Sequence, residues 1–320
     1  MLHSTVLITN TWWAKNQRPL LSTLFRRFLS QFHVSSISSS SEASHCIDEE
    51  CDDFLMWLEH KAGTKISSVL SIGKSAYGRS LYASKYIRTW DCILKVPYSA
   101  QLSKDDLLPD IASLLGSEVG NVAKVALLIL YEQKLGQNSE WFPYISRLPQ
   151  PVDMHSVILW GDDELEMILP SALYEETTRQ KAQIEKDFWA VKVAFDHFPH
   201  VFRDVKLQDF TYAYALVTSR AWESSKGVSM IPFADFLNHG GTSQSCVLSD
   251  EGKQHSEVIA DRDYAPGDQV LIRYGKFSNA TLLLDFGFTL PHNIYDQVQI
   301  ELNVPHHDRL CAMKLELLHR

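Results

Sequence analysis

Residues 229–241 read SMIPFADFLNHGG, an apolar run that ends in the pair Asn238–His239 followed by two glycines. Such a pair can present an amide and an imidazole at the edge of a buried surface. Asp235 and His239 also stand at positions i and i+4, a spacing open to two metal ligands, but no third ligand follows at a recognisable spacing. Two interpretations stay open: Asp235 and His239 are a pair of metal ligands, or His239 is a core histidine whose ring nitrogens are hydrogen-bonded. The core histidine is the default.

A second informative stretch runs through residues 264–275, YAPGDQVLIRYG. Its turn, Ala265–Asp268, precedes a predicted strand over Gln269–Tyr274. Because Tyr274 ends that strand directly before a glycine, its phenol is expected at the rim of a sheet. The alternative is an ordinary buried tyrosine that has found a hydrogen-bond partner.

The tripeptide Gly73-Lys74-Ser75 invites comparison with a phosphate-binding loop. That motif needs a glycine five residues before Gly73, and the position holds Ser68, so the nucleotide-hydrolase hypothesis fails. Gly73 and Gly78 instead bracket a short loop that feeds a strand. Glycine lets such backbone approach a ligand closely, although a plain tight turn explains the same spacing.

The wider pattern predicts an α+β protein. Short strand-like runs occupy residues 68–96, and helical periodicity then extends from Leu107 to about Trp222, with the last of its helices expected over Leu207–Trp222. Strand patterns return between Cys246 and Tyr274, and a short helix is predicted over Ser278–Phe286, with Ser278 as its N-cap. A helical block therefore interrupts a sheet.

Taken together, these segments resemble the SET-domain protein-lysine methyltransferases, in particular the branch typified by the plant Rubisco large-subunit methyltransferase. The resemblance covers roughly residues 50–300, and the order and spacing of its blocks make it specific. The matching blocks are Ala76–Ala83, Ser219–Trp222, Asp235–His239, Gly267–Gly275 and Ser278–Ala280. The resemblance implies small antiparallel β-sheets around a knot-like core, a SET domain over residues 50–290 and a helical insert at about 107–222.

The resemblance also implies a reaction, in which a methyl group passes from S-adenosylmethionine to a lysine of a protein substrate. Carried over by position, the catalytic residue is Tyr274. The residues implied for cofactor binding are Tyr77, Gly78, Arg79, Arg220, Asn238 and His239. The positions implied to face the substrate are Arg220, Asp235 and Phe286. No metal is implied, because the cysteine cluster that follows some SET domains is absent.

Two departures from the family pattern matter. The second tyrosine that this branch often carries is Phe286 here, which removes a hydroxyl and suggests a roomier pocket that permits higher methylation states, unless Phe286 is only core. The chain also ends at Arg320, where the resembling enzymes continue into a helical domain. Residues 291–320 are therefore expected to be the start of a shortened C-terminal domain, with a strand or linker over Asp296–Val304 and a helix over Leu310–Leu318.

The N-terminus differs in composition from the rest of the chain. Residues 1–44 carry four basic groups and a single acid, Glu42, and they include a serine-rich run, Ser35–Ser41. This is the composition of a removable transit peptide for a chloroplast or mitochondrion, and the alternative is a disordered tail that is not a targeting signal. The net charge of −9 becomes −12 for the remainder, which holds 26 basic and 38 acidic groups.

Composition excludes several classes of protein. The acidic balance does not suit a duplex-DNA binder, and no apolar run reaches the roughly 18 residues of a membrane span. Five widely spaced cysteines give neither a disulfide framework nor a zinc site. Together with these exclusions, the resemblance and the N-terminal composition lead us to expect a monomeric organellar lysine methyltransferase that acts on a protein. Two alternatives stay open: a catalytically weak SET-fold scaffold in a plastid complex, and a protein-histidine methyltransferase.

Overall fold

The computed structural model describes residues 5–8, 52–224, 227–301 and 307–318. The strands are β1 (Thr5–Ile8), β2 (Leu70–Ser75), β3 (Gly78–Ala83), β4 (Cys92–Pro97), β5 (Leu102–Ser103), β6 (Ala221–Ser224), β7 (Gly227–Met230), β8 (Asn238–His239), β9 (Val247–Asp250), β10 (His255–Ile259), β11 (Leu271–Ile272) and β12 (Val298–Glu301). The helices are α1 (Asp52–Ala62), α2 (Pro109–Ala112), α3 (Asn121–Leu135), α4 (Phe142–Ile145), α5 (Asp162–Glu166), α6 (Ala172–His197), α7 (Leu207–Arg220), α8 (Asn279–Thr281) and α9 (Cys311–Leu318). The predicted α+β class is confirmed.

The chain divides into two compact units. The smaller contains β1, β12 and α9, and its two strands pair antiparallel with Thr5 opposite Glu301. The strand and helix predicted near the C-terminus are therefore present. The leader predicted over residues 1–44 lies outside the described residues apart from Thr5–Ile8, which form β1 where disorder was expected.

The larger unit lies within residues 45–296 and is built from several small sheets. Strands β2 and β3 form an antiparallel hairpin, β4–β10–β9 form a second antiparallel sheet, and β5–β7–β6 form a third. Only two residues each of β8 and β11 pair, and they do so in parallel, with Asn238 opposite Leu271. This short parallel pair brings together two segments that are more than thirty residues apart in sequence.

The predicted helical insert is present between β5 and β6. Its central helix α3 is buried along most of its length because apolar side chains recur on nearly every face, and it packs against α7. The helix expected over Leu207–Trp222 ends earlier, at Arg220, because Trp222 pairs with Ser229 as part of β6. Strand pairing thus overrides helical periodicity at this end of the insert.

Two further predictions are corrected at the C-terminal side of the larger unit. The strand expected over Gln269–Tyr274 is regular only at Leu271–Ile272, with one isolated bridge between Gln269 and Tyr82. The helix expected over Ser278–Phe286 begins as α8 with Ser278 as its side-chain cap, and it continues as a π-helical turn over Leu282–Phe286.

Gly287 ends the π-helical turn at φ +78, a backbone conformation that favours glycine. A Cβ atom there would lie 2.6 Å from the backbone carbon of His155. The hydroxyl of Ser156 donates a hydrogen bond to the carbonyl of Leu284, so the insert and the π-helical turn are joined by close backbone contact. This contact fixes the position of Phe286.

No helix among the described residues has both the length and the apolar character needed to cross a membrane.

Candidate active site

The phenol of Tyr274 lies where the two strands of the parallel pair end. Its O–H donates to the carbonyl of Leu237 at 2.8 Å, and its backbone N–H donates to Nδ1 of His239 at 3.1 Å. Burial raises the pKa of Tyr274 to about 12, because a phenolate would lose its hydration. The group therefore stays neutral at pH 7. Its hydrogen points to Leu237, so its oxygen lone pairs are left to accept a hydrogen bond.

His239 is a neutral imidazole in this arrangement. Its Nδ1 accepts the Tyr274 N–H, which assigns the ring proton to Nε2. Burial, and secondarily the charge of Arg273, lower the pKa of His239 below its usual value. Its ring centroid is 5.2 Å from that of Tyr274, so the two side chains form one edge of the site.

Asp235 is buried rather than exposed to a substrate. Its side chain has no exposed surface, whereas that of Arg220 is 25% exposed. Oδ2 accepts a hydrogen bond from the Tyr144 hydroxyl at 2.9 Å and from Arg220 Nη1 at 3.2 Å. The substrate-facing role that the resemblance implied for Asp235 is therefore corrected, because its carboxylate is directed to an ion pair inside the protein.

The charge state of Asp235 depends on those neighbours. Burial raises the pKa of its carboxyl, while the Arg220 guanidinium and the Tyr144 hydroxyl lower it. Its second oxygen, Oδ1, is buried and has no hydrogen-bond partner among the described residues. A buried acceptor of this kind is rare in folded proteins and marks a place where function or strain can reside.

The metal interpretation of Asp235 and His239 finds no support. Oδ2 of Asp235 is engaged by two protein donors, and Nδ1 of His239 accepts a backbone N–H. Within the described parts of the chain, no group of three or more His, Cys, Asp or Glu residues is arranged to hold a metal ion. The imidazole is instead a polar member of the site described above.

A strained turn carries these residues. Phe233 adopts φ +73, which is unusual for a bulky residue, and a 3-10 turn over Ala234–Phe236 follows it. The carbonyl of Asp235 accepts a second hydrogen bond from Arg220 Nη1 at 3.0 Å. Arg220, at the end of α7, thus stabilises the turn that directly precedes Asn238 and His239 in the chain.

The hairpin predicted to bind the cofactor lies next to Asn238. Ser75 Oγ accepts the Tyr77 N–H at 3.1 Å and lies 3.4 Å from the Asn238 side-chain amide, which donates to it. Gly78 follows at φ +95, and a Cβ there would meet nothing within 4 Å, so the backbone borders open space. Tyr77 is 77% exposed at the tip of the hairpin.

Arg79 turns inward from the same hairpin. Its guanidinium carbon lies 5.2 Å from the ring centroid of Phe236, and its Nη1 donates to the carbonyl of Arg147 at 2.7 Å. Its positive charge also lowers the pKa of Asp235 slightly. The hairpin therefore lies beside Phe236 of the strained turn and beside Asn238, with Tyr77 exposed at its tip.

Phe286 stacks on the catalytic candidate. Its ring centroid is 5.1 Å from that of Tyr274 and 5.8 Å from that of Phe277, while Phe288 lies 5.7 Å from His239. Phe286 is thus part of an aromatic cluster that includes Tyr274 and Phe277. Both interpretations offered by the sequence fit this position.

Sequence reasoning missed several contributors to the site. Tyr144 is separated by 91 residues from the aspartate that it contacts, and no spacing rule connects them. Ser75 ends an incomplete phosphate-loop motif, and that pattern does not predict its contact with Asn238. The Leu237 carbonyl is a backbone group, which a motif does not show. Phe288, whose ring packs against His239, carries no sequence signal that predicts this contact.

Comparisons with known proteins identify the family of this chain. Residues 78–275 match the family described as the SET domain. Ribosomal lysine N-methyltransferase 4 of Saccharomyces cerevisiae is 26% identical over 273 residues, which cover 75% of this chain and 55% of that protein. Actin-histidine N-methyltransferase of Homo sapiens is 27% identical over 288 residues, which cover 84% of this chain and 47% of that protein. The chain spans about half the length of the curated relatives it matches.

Two solved structures are similar to this chain in fold. Rubisco LSMT bound to AdoMet has a TM-score of 0.70 at 25% identity and covers 85% of this chain and 63% of its own. Rubisco LSMT bound to sinefungin and monomethyllysine has a TM-score of 0.71 at 25% identity, with the same coverage.

Proposed function

The chain belongs to the SET-domain family, and from this membership we propose that it transfers methyl groups from S-adenosylmethionine to a lysine of a protein substrate. The observation that carries the proposal is the neutral phenol of Tyr274, which is fixed by its bond to the Leu237 carbonyl. The similar structures contain AdoMet, or sinefungin with monomethyllysine, which supports this choice of cofactor and acceptor.

The residues present fit S-adenosylmethionine. Asn238 supplies an amide, His239 a neutral imidazole with a proton on Nε2, and the partly exposed Arg220 a guanidinium that suits a carboxylate. Gly78 keeps its backbone beside open space, where a ligand can approach closely. When bound, S-adenosylmethionine supplies a methyl group activated by a positively charged sulfur.

For methyl transfer, the protein mainly has to orient the substrate amine and remove water from it. A lysine reacts only as the neutral amine, and a site lined by the rings of Tyr274, Phe286 and His239 disfavours the ammonium form. With its own hydrogen committed to Leu237, the phenol oxygen of Tyr274 accepts an N–H of the amine and fixes the direction of the nitrogen lone pair. Because its pKa is about 12, Tyr274 does not act as a base at neutral pH.

Titration calorimetry with S-adenosylmethionine tests the first half of the proposal, and absence of binding by the folded protein would refute it. Incubation with an organelle extract and methyl-labelled cofactor, followed by mass spectrometry, tests the second half. The expected product is a methylated lysine. Binding without any transfer would instead favour the scaffold alternative.

Histidine methylation is the second candidate. It is supported by the similarity to actin-histidine N-methyltransferases at 27% identity. The same mass spectra distinguish the two, because the methylated residue in the labelled peptide is either lysine or histidine. A methylated histidine with no methylated lysine would replace the proposal.

We also propose that residues 1–44 direct the protein to a chloroplast or mitochondrion. The proposal is supported by the four basic groups, the single acid and the serine run of this segment. A fusion of residues 1–44 to a fluorescent protein is expected to enter one of these organelles. Diffuse fluorescence throughout the cell would contradict it.

A further inference from the structure

The segment Phe142–Arg147 of the helical insert, here called the bracing segment, contacts the site at two points. It contains helix α4 and the residues that follow it. The carbonyl of Arg147 accepts a hydrogen bond from Arg79 at 2.7 Å, and the hydroxyl of Tyr144 donates to Asp235 at 2.9 Å. Arg79 belongs to the set proposed to bind the cofactor, and Asp235 is ion-paired with another member of that set, Arg220. The insert is therefore joined to that set by direct contacts.

Tyr144 makes the deeper of the two contacts. It is fully buried, and its ring centroid lies 6.4 Å from that of Phe54 in helix α1. Its position is thereby fixed by packing, so its hydroxyl is held towards Asp235 independently of any ligand. Burial is the main cause that raises the pKa of Tyr144 well above its usual value, so the group is a permanent donor.

We propose that Tyr144 is a positioning residue for methyl transfer, which acts through Asp235 to hold Arg220 in the orientation that binds S-adenosylmethionine. This inference rests on the proposed function. The path is continuous, since Asp235 Oδ2 accepts from both the Tyr144 hydroxyl and Arg220 Nη1. The same nitrogen of Arg220 also donates a hydrogen bond to the backbone carbonyl of Asp235, so Arg220 links the ion pair to the strained turn.

The charge balance around Asp235 explains why the hydroxyl matters. The charged groups acting on its carboxylate are Arg220 and Arg79, and Tyr144 is its neutral donor. Removing that donor favours protonation of a carboxyl whose pKa burial has already raised, and a protonated Asp235 holds Arg220 less firmly. The consequence is a misplaced guanidinium rather than an unfolded protein.

The test is the variant Tyr144→Phe in the full chain, with steady-state kinetics and calorimetry. We expect the KM and Kd for S-adenosylmethionine to rise about tenfold, the size of one hydrogen bond to a charged group, while kcat stays within about threefold. The rise is expected to grow as the pH is lowered, because acid and the loss of the Tyr144 donor both favour protonation of Asp235. A purely structural role would lower the active fraction, reducing kcat with KM unchanged, and would overturn the proposal.

Tyr264→Phe is the matched control. Tyr264 is also buried and donates to an aspartate, Asp261, at 2.8 Å, but that aspartate holds the loop at Ser243 and Gln244. This variant is expected to lose similar stability with KM unchanged. An equal rise of KM in both variants would attribute the effect to general loosening and refute the role of Tyr144.

A double-mutant cycle tests the path through Asp235. Asp235→Asn combined with Tyr144→Phe is expected to raise KM no further than Asp235→Asn alone, because the second change acts through the first. Independent, multiplying effects would overturn the proposal. If the wild-type protein binds no S-adenosylmethionine, the proposed function fails. If the wild type binds it and Tyr144→Phe binds equally well, only the positioning role fails.

Discussion

Replacing Tyr274 by phenylalanine removes one oxygen and changes little else. The ring keeps its contacts with His239 and Phe286, whose centroids lie 5.2 Å and 5.1 Å away. The lost group is the O–H that donates to the carbonyl of Leu237 at 2.8 Å. Leu237 is fully buried, so its carbonyl cannot recover the bond from bulk water.

The expected magnitudes follow from that geometry. Leaving a buried acceptor without its donor costs about 1–3 kcal/mol of stability, or a fall in Tm of about 2–12 °C for a domain of this size. Loss of the phenol oxygen that orients the amine is expected to reduce kcat by about 100-fold or more, because misplacement by about 1 Å has that effect. The Kd for S-adenosylmethionine is expected to change less than about threefold.

The assay compares methyl transfer at saturating cofactor with calorimetric binding. The matched control is Tyr212→Phe, which removes a similar hydrogen bond, from Tyr212 to the carbonyl of Pro149 at 2.7 Å. This control is expected to keep kcat within about twofold. The assigned role is refuted if Tyr274→Phe retains kcat while it remains folded. Equal losses of kcat and of cofactor affinity would move Tyr274 from amine orientation to cofactor binding.

Three further predictions concern the π-helical turn and its ends. Burial raises the pKa of Asp285 from 3.8 to about 6, so the folded state binds protons more tightly than the unfolded state and stability falls as pH rises from about 4 to about 6. Asp285→Asn is therefore expected to raise the free energy of unfolding at pH 7.5 by on the order of 1–3 kcal/mol, as measured by urea titration. Below pH 4 the variant is expected to be no more stable than the wild type. Equal gains in stability at both pH values would contradict this prediction. Phe286→Tyr adds a hydroxyl to the wall of the site and is expected to shift products towards monomethyllysine in mass spectra, whereas an unchanged product ratio would make Phe286 only core. In Gly287→Ala the new methyl group would lie 2.6 Å from the backbone of His155. The matched control is Gly267→Ala, where φ is also positive, at +92, but nothing lies within 4 Å of the new methyl group. The urea midpoint of Gly287→Ala is expected to fall further than that of the control, and equal falls would refute the close contact.

The sequence was informative where a pattern extended over many residues. The hairpin of β2 and β3, the helical insert and the return to strands all follow from periodicity and turn residues. It was uninformative for β5, β8 and β11, because two residues cannot show alternation. These short strands exist because of their partners, and a partner more than thirty residues away leaves no local signal.

The candidate site shows the same division. The structure places Asn238 of the motif beside Ser75 and His239 beside Tyr274, whereas their roles stay predictions. The motif did not reveal which way Asp235 faces, because a linear motif records residue identity but not burial. Nor did it single out Tyr144, whose contact with Asp235 spans 91 positions. The missing information is three-dimensional in each case.

The sheet formed by β5, β7 and β6 has a consequence for how this protein can be redesigned. The chain enters the helical insert from β5 and leaves it into β6, and both strands pair with β7. The two ends of the insert are thus about 10 Å apart, two strand spacings. Ends so close together make the insert a natural crossover point for chimaeras that borrow this region from a relative. Such an exchange would keep the sheet intact, but it would retain the link to Asp235 only if the donor supplied a phenol at the position of Tyr144.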